Sequence, residues 1–137
     1  RRLAAGAAFP LLSANIVERH GCGRCVDPTD VHAIAAAIRE IVDAPQQVRA
    51  VVSRGGRPDL AGAHLARVQS PTLLIVGGDD VEVLALNRHA MRQMTCPQRL
   101  EVVPGATHLF EEPGTLEAVA VAARDWFVRR FARDDRG

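Results

Sequence analysis

Three short apolar runs constrain the fold more than any other feature of this sequence: "RAVVS" (49–53), "TLLIV" (72–76) and "LEVV" (100–103). Each is apolar nearly throughout, as a strand buried on both faces must be. Longer stretches with helical periodicity separate the runs, and this alternation is typical of a parallel sheet covered by helices. The sequence therefore predicts an α/β fold, a three-layer sandwich with a short, mainly parallel sheet.

Weaker patterns complete the predicted framework. Two further strands are expected at 9–13 and 24–26. The stretch 30–42 has helical spacing, with Asp30 available as its N-cap. A second helix is predicted at 84–94, and a shorter helical turn is predicted at 59–67, between two punctuating stretches.

The last predicted helix, 115–131, follows a Pro-Gly pair. Thr115 is its expected N-cap. One face of this helix should be buried against the sheet, and its expected members are Leu116, Val119, Ala123, Trp126 and Phe127.

Composition excludes several function classes. The chain has 137 residues and a formal net charge of +1, so it carries no surplus of cations for nucleic acid. No apolar run approaches the ~18 residues that a membrane span needs. The start resembles a signal peptide only until Pro10 interrupts it. Three sparse cysteines, an odd number, favour a reducing cytoplasm, so a cytoplasmic protein is predicted.

Acidic and basic residues follow two of the buried strands. "TLLIVGGDD" ends in Asp79 and Asp80, and His108 follows the next strand within "VVPGATHLFEEPG". Because open α/β sheets place their sites beyond the carboxyl ends of parallel strands, an acid and an imidazole are expected on neighbouring loops. This is the acid and base of a hydrolase triad. Spacing alone leaves a second interpretation open, in which an aspartate caps the next helix and His108 is an ordinary loop residue.

These residues also resemble a known family. "AVVSRGGRPDL", "SPTLLIVGGDDVEVLALNR" and "RLEVVPGATHLFEEPGTLEAVA" look like the C-terminal half of α/β-hydrolases of the dienelactone-hydrolase-like group, over about residues 46–137. Some members of that group are joined to a phosphoribosyltransferase domain. The resemblance implies a partial α/β-hydrolase fold and hydrolysis of a small ester or related acyl substrate. It assigns Asp80 as the orienting acid and His108 as the general base, with no metal and no organic cofactor.

A nucleophile is harder to find. The elbow G-x-S-x-G that usually carries it is missing. Ser53 in "VVSRGG" is the nearest match, but the preceding glycine is absent and the resembled family uses this segment as the strand after the nucleophile strand. Cys25 in "GRCVD" ranks lower, because Asp27 replaces the second glycine. The predicted hydrolase is therefore incomplete. A homo-oligomer or a missing N-terminal domain is the expected partner, beside a small ester-like substrate.

Residues 1–45 point elsewhere. "NIVERHGCGRCVDPTDVHAIAAAIREIVDAP" resembles the C-terminal part of a GT-B glycosyltransferase. Two alternatives to a hydrolase follow, a glycosyltransferase-related fragment and a non-catalytic or partner-dependent fragment. The C-x-x-C in "HGCGRC", with His20 and His32 nearby, matches no known metal spacing, so no metal site is predicted. Residues 1–45 and 46–137 are expected to pack as one domain.

Overall fold

The computed structural model describes residues 3–7, 23–26, 30–43 and 48–132. All the strands in these ranges are parallel and form one sheet in the spatial order β2-β1-β3-β4-β5. The strands are β1 (Leu3–Ala7), β2 (Gly23–Val26), β3 (Val48–Arg54), β4 (Thr72–Gly77) and β5 (Gln98–Val103). The four strands predicted from 24 onward are confirmed to within two residues at each end, whereas the one predicted at 9–13 lies outside the described residues.

The helices flanking the sheet are α1 (Val31–Asp43), α2 (Val81–Gln93) and α3 (Thr115–Phe131), with a 3₁₀ segment at Pro58–Arg67. Asp30 Oδ1 accepts the Ala33 N–H at 2.9 Å, which confirms the predicted N-cap of α1. Helix α2 begins three residues earlier than predicted, because the backbone oxygen of Asp80 already accepts the Leu84 N–H. None of the helices in these ranges has both the length and the hydropathy of a membrane span.

The start of α3 differs from the prediction. Gly114, with φ 80°, holds the N-cap position, and Thr115 is the first residue of the helix. The Thr115 hydroxyl instead donates to the backbone oxygen of Glu112 at 2.7 Å. The N-cap assignment of Thr115 was therefore wrong, because glycine alone adopts this left-handed conformation without steric cost.

The buried face of α3 follows the stripe Thr115, Val119, Ala123 and Trp126, at helical spacings of four, four and three. Phe127 packs partly buried beside this stripe. Leu116 lies outside it and is 40% exposed, so its predicted burial was wrong.

Helices cover both faces of the sheet, which confirms the three-layer α/β prediction. The core under α3 has ten buried members, here called the α3-side core: Ala50, Val52, Leu73, Ile75, Val103, Ala106, Phe110, Val119, Ala123 and Trp126. The core on the opposite face, here called the α2-side core, consists of Val42, Ala61, Leu65, Val68, Ala90, Met94 and Cys96. Complete burial of one large apolar side chain stabilises a fold by roughly 1.5–3 kcal/mol, so both cores hold the sheet in place.

Candidate active site

The loops after β4 and β5 leave the same edge of the sheet. The two strands pair in register as far as Gly77 and Val103, so their carboxyl ends lie side by side. Backbone hydrogen bonds then join the loops: the Gly78 N–H donates to Val103 O at 2.8 Å, and the Asp79 N–H donates to Ala106 O at 3.0 Å. The backbones of the two loops therefore fix each other's position without any contribution from side chains.

Gly77 allows this close approach. A Cβ at this position would collide with the backbone of Ala106 and Thr107, the two residues that precede His108. A Cβ on Gly78 would lie 3.2 Å from Val103 O, which is tight but less severe. The glycine pair in "GGDD" therefore lets the backbone before the acid pack directly against the backbone before the imidazole.

Asp80 and His108 are joined by a short hydrogen bond. His108 Nδ1 lies 2.7 Å from Asp80 Oδ2, and the two side chains are 46% and 13% exposed. Because an ionised carboxylate can only accept, Nδ1 carries the proton, and Nε2 of a neutral imidazole keeps its lone pair. This arrangement is that of a general base oriented by an acid.

The two aspartates of the motif, Asp79 and Asp80, make different contacts. Asp80 occupies the N-cap position of α2, yet its side chain makes no capping hydrogen bond. Its carboxylate is directed to His108 instead, so the alternative in which Asp80 is only a helix cap does not describe its side chain. Asp79 is exposed and reaches the site loop only through its backbone N–H. The catalytic roles of Asp80 and His108 stay predictions.

The loop that carries His108 is anchored on both sides of the imidazole. Phe110 is 1% exposed, belongs to the α3-side core and has a left-handed φ of 55°. The carboxylate of Glu112 accepts hydrogen bonds from the N–H and the hydroxyl of Thr107, at 3.1 and 2.5 Å. Hydrogen bonding, chiefly from the Thr107 hydroxyl, holds the pKa of Glu112 below its ordinary value. This pair is not recognisable from the sequence, because a threonine and a glutamate five residues apart in a loop match no local motif.

The turn after β3 completes the surroundings of the imidazole. Gly55 has φ 57°, and a Cβ on it would lie 3.8 Å from His108 Cε1 and 3.7 Å from Phe110 Cε2. The buried Asn87 of α2 ties this turn down, since its Nδ2 donates to Gly56 O at 3.0 Å. The packing of α2 and of the β3 turn is thereby coupled to the position of His108.

Arg54 is a second residue at this turn that the sequence analysis did not single out. Its guanidinium lies 5.4 Å from the centroid of the Phe110 ring. Its Nε is buried without a hydrogen-bond partner, and burial lowers the pKa of Arg54 from its ordinary value. Its position at the last residue of a strand gave no separate signal, because arginines are common at exposed strand ends.

Ser53, the nearest sequence match to a nucleophile, is part-buried in β3 and makes no hydrogen bond to His108. Its hydroxyl packs against Gly56 instead. Strand β1 is the neighbour of β3 on the side away from β4, and the sequence continues after β1 with Ala8 and Phe9, neither of which carries a nucleophilic atom. The described residues therefore bring together an acid and a base without a nucleophile.

The remaining sequence candidates are Cys25 and the C-x-x-C segment. Strand β2, which contains Cys25, is separated from β3 by β1. His20 and Cys22 of the C-x-x-C segment lie outside the described residues. Within the described ranges, no group of three or more His, Cys, Asp or Glu side chains is placed to hold a metal ion.

Comparison with known proteins shows which solved structures share this fold. No protein-family model matches the chain. A dienelactone hydrolase from Anabaena variabilis superposes with a TM-score of 0.71 at 46% identity, over 79% of this chain and 48% of that one. A hydrolase described as CIB-like, from Thermoplasma acidophilum, superposes with a TM-score of 0.60 at 15% identity, over 94% and 86% of the two chains, and shows the fold alone. The chain has an α/β-hydrolase-like fold.

Two relatives identified by sequence are not named as hydrolases. Two Mycobacterium tuberculosis proteins, from strains CDC 1551 and H37Rv, provisionally named phosphoribosyl transferases, are each 61% identical to this chain over 93 residues. The match covers 68% of this chain and 21% of each relative, so the chain spans about a fifth of the length of these relatives. None of these matches supports the GT-B resemblance of residues 1–45.

Proposed function

We propose that this chain supplies the acid and the base of an acyl hydrolase acting on a small ester or a related substrate. The hydrogen bond of 2.7 Å between Asp80 and His108 carries the proposal. Similarity to a dienelactone hydrolase at 46% identity supports the same reaction class. In this reaction His108 Nε2 takes a proton from the attacking hydroxyl or thiol, and the Asp80 carboxylate orients the ring and stabilises the imidazolium that forms. General-base catalysis of this kind contributes typically ~10²–10⁴-fold to a rate.

The proposed active site is incomplete within this chain. Acyl transfer needs a nucleophilic oxygen or sulfur, its base, and donors for the developing oxyanion. The usual oxyanion site includes the backbone N–H that follows the nucleophile, so the missing G-x-S-x-G removes two of these elements together. The nucleophile is supplied from outside this chain, by an N-terminal domain, because another copy of the chain would lack the same motif. The ring of His108 is accessible to such a nucleophile, because its side chain is 46% exposed.

Phosphoribosyl transfer does not follow from the residues of this chain. The matched stretch is 21% of each Mycobacterium tuberculosis relative. A phosphoribosyl transferase recognises phosphate groups. Asp80 and His108, by contrast, form an acid and base pair suited to proton transfer. We place the activity for which those relatives are named in the part of their sequences that this chain does not match.

Two measurements test the proposal. Hydrolysis of an unactivated ester and labelling by a fluorophosphonate are compared for the full chain, His108→Ala and the control His64→Ala, which removes an exposed imidazole in the 3₁₀ segment. We expect no difference among the three proteins alone. A lysate or N-terminal polypeptide that brings a G-x-S-x-G serine should confer hydrolysis that His108→Ala abolishes and His64→Ala retains.

Stoichiometric labelling of Ser53 that disappears in His108→Ala would contradict the incomplete site and make the chain a complete hydrolase. Restored hydrolysis that does not respond to His108→Ala would contradict the role of the base.

A further inference from the structure

We propose that Glu112 is a positioning residue, which holds His108 against Asp80 by clamping Thr107, the residue immediately before the imidazole. The inference deepens the proposed function, since it concerns the same acid and base. The effect of the clamp on catalysis rests on the proposed function. The position of the His108 ring does not, because it can be measured without turnover.

The clamp acts on the backbone next to the base. Glu112 Oε1 accepts the Thr107 N–H at 3.1 Å and the Thr107 hydroxyl at 2.5 Å, so one carboxylate oxygen fixes both the main chain and the side chain of this residue. The Thr115 hydroxyl in turn donates to Glu112 O at 2.7 Å, which fixes the glutamate to the first residue of α3. A rigid connection therefore runs from α3 through Glu112 to the residue before His108.

The charge of Glu112 does more than attach the loop to the fold. Both hydrogen bonds to Thr107 are made by Oε1, and Oε2 has no hydrogen-bond partner among the described residues. Phe110 already anchors the loop in the α3-side core, so the loop does not need Glu112 to stay attached to the fold. Charge-assisted hydrogen bonds are stronger and shorter than neutral ones, so the ionised group adds precision to the loop rather than mere attachment.

Precision matters because the imidazole is the more exposed member of the pair. The His108 side chain is 46% exposed, against 13% for Asp80, so solvent competes for the hydrogen bond between them. A ring that turns away from Asp80 loses both its fixed tautomer and the partner that stabilises its charged form. Holding Thr107 limits that rotation at the adjacent peptide.

The neighbouring Glu111 provides a matched control. It is exposed and makes no hydrogen bond among the described residues, so Glu111→Gln removes the same charge one position away without touching Thr107. The variants that break the clamp are Glu112→Gln and Thr107→Val. Thr107→Ser restores the hydroxyl and is the conservative rescue.

The experiment records ¹H–¹⁵N NMR spectra of the full chain with ¹⁵N-labelled histidine, and His108→Ala assigns the resonance. The Nδ1 proton shared with Asp80 should be visible and protected from exchange with water in the parent chain, in Glu111→Gln and in Thr107→Ser. In Glu112→Gln and Thr107→Val its exchange should become about tenfold faster, the effect expected from weakening one hydrogen bond to a charged group. Circular dichroism and thermal unfolding establish that each variant is folded.

Equal protection of the Nδ1 proton in the parent chain and Glu112→Gln would overturn the proposal, and so would an equal loss in Glu111→Gln. If Glu112→Gln fails to fold, the comparison of Thr107→Val with Thr107→Ser decides, and equal exchange in these two overturns the clamp. Failure of the hydrolase proposal shows in ester turnover and labelling, whereas failure of the clamp shows in this resonance, so the two are distinguishable.

Discussion

The acid and the base of the candidate site are anchored on opposite faces of the sheet. His108 belongs to a loop that Phe110 fixes in the α3-side core. Asp80 stands at the start of α2, whose buried Ala90 and C-cap residue Met94 belong to the α2-side core. The two anchors meet at the sheet edge, where the side chains of Asp80 and His108 are hydrogen-bonded.

The two anchors also differ in kind. The base depends on Phe110, an aromatic residue with a left-handed φ, and on the Glu112 carboxylate, both within its loop. The acid follows directly from the end of β4 and needs only Gly77 and Gly78 to approach the neighbouring loop. Changes on the α3 face should therefore disturb the base more than the acid, and changes at the glycines should separate the two.

The largest expected effect is on the α3-side core. Trp126→Ala should lower the free energy of unfolding by about 3 kcal/mol or more, because it leaves a cavity and removes the ring on which the Arg130 guanidinium stacks at 4.3 Å. Urea denaturation measures this loss. Val128→Ala, at a position 58% exposed on the same helix, should cost little. Equal, small losses for both variants would mean that α3 does not anchor the base.

A smaller effect is expected where the two loops touch. Gly77→Ala should cost roughly 1–3 kcal/mol, because the added methyl overlaps the backbone of Ala106 and Thr107. The Nδ1 proton of His108 should lose its protection at the same time, since the imidazole loop is displaced from Asp80. Gly78→Ala, whose methyl would lie 3.2 Å from Val103 O, should be milder in both measurements. Larger losses of stability and of proton protection in Gly78→Ala than in Gly77→Ala would contradict the proposed contact.

The tie between α2 and the β3 turn comes next. Asn87→Ala removes the hydrogen bond to Gly56 O at 3.0 Å and should lower the free energy of unfolding by about 1 kcal/mol. Chemical denaturation tests this value against Arg88→Ala, a change at the exposed neighbouring position. An Asn87→Ala variant as stable as Arg88→Ala would show that the turn is held by packing alone.

The smallest effect depends on pH. Hydrogen bonding depresses the pKa of Glu112 below 4.5, so the folded state holds its proton less tightly than the unfolded state. Its stabilising contribution is therefore present above pH 4.5 and is lost as the pH falls through the lower, folded-state pKa. The melting temperature of the parent chain should exceed that of Glu112→Gln near pH 7, and the difference should narrow towards pH 3. A difference independent of pH would show that the charge of Glu112 contributes nothing.

Much of the framework is predictable because it depends on local patterns. The apolar runs of β3, β4 and β5 were correctly predicted as strands, and Asp30 could be recognised as a cap from its neighbours. The predicted burial of these strands on both faces holds only for β4; β3 is part-buried, and β5 is an edge strand in which only Val103 is buried. The stripe of α3 was predictable in its centre but not at Leu116, because periodicity does not say how far the sheet extends under the first turn. Thr115 was misassigned because the left-handed Gly114 took the position that capping preferences favour for threonine.

The sequence by itself determined that an acid and an imidazole would follow neighbouring strands, and that no G-x-S-x-G accompanies them. Spacing alone did not choose between Asp79 and Asp80, which follow β4 by two and three residues, whereas the family resemblance assigned Asp80. Only the tertiary structure shows that the Asp80 carboxylate is directed towards His108 while Asp79 stays exposed. Likewise, the contacts of Glu112, Asn87 and Gly55 with the site connect separate segments or bridge a loop without periodicity. Such contacts depend on how the segments pack in space, and a linear pattern carries no record of that packing.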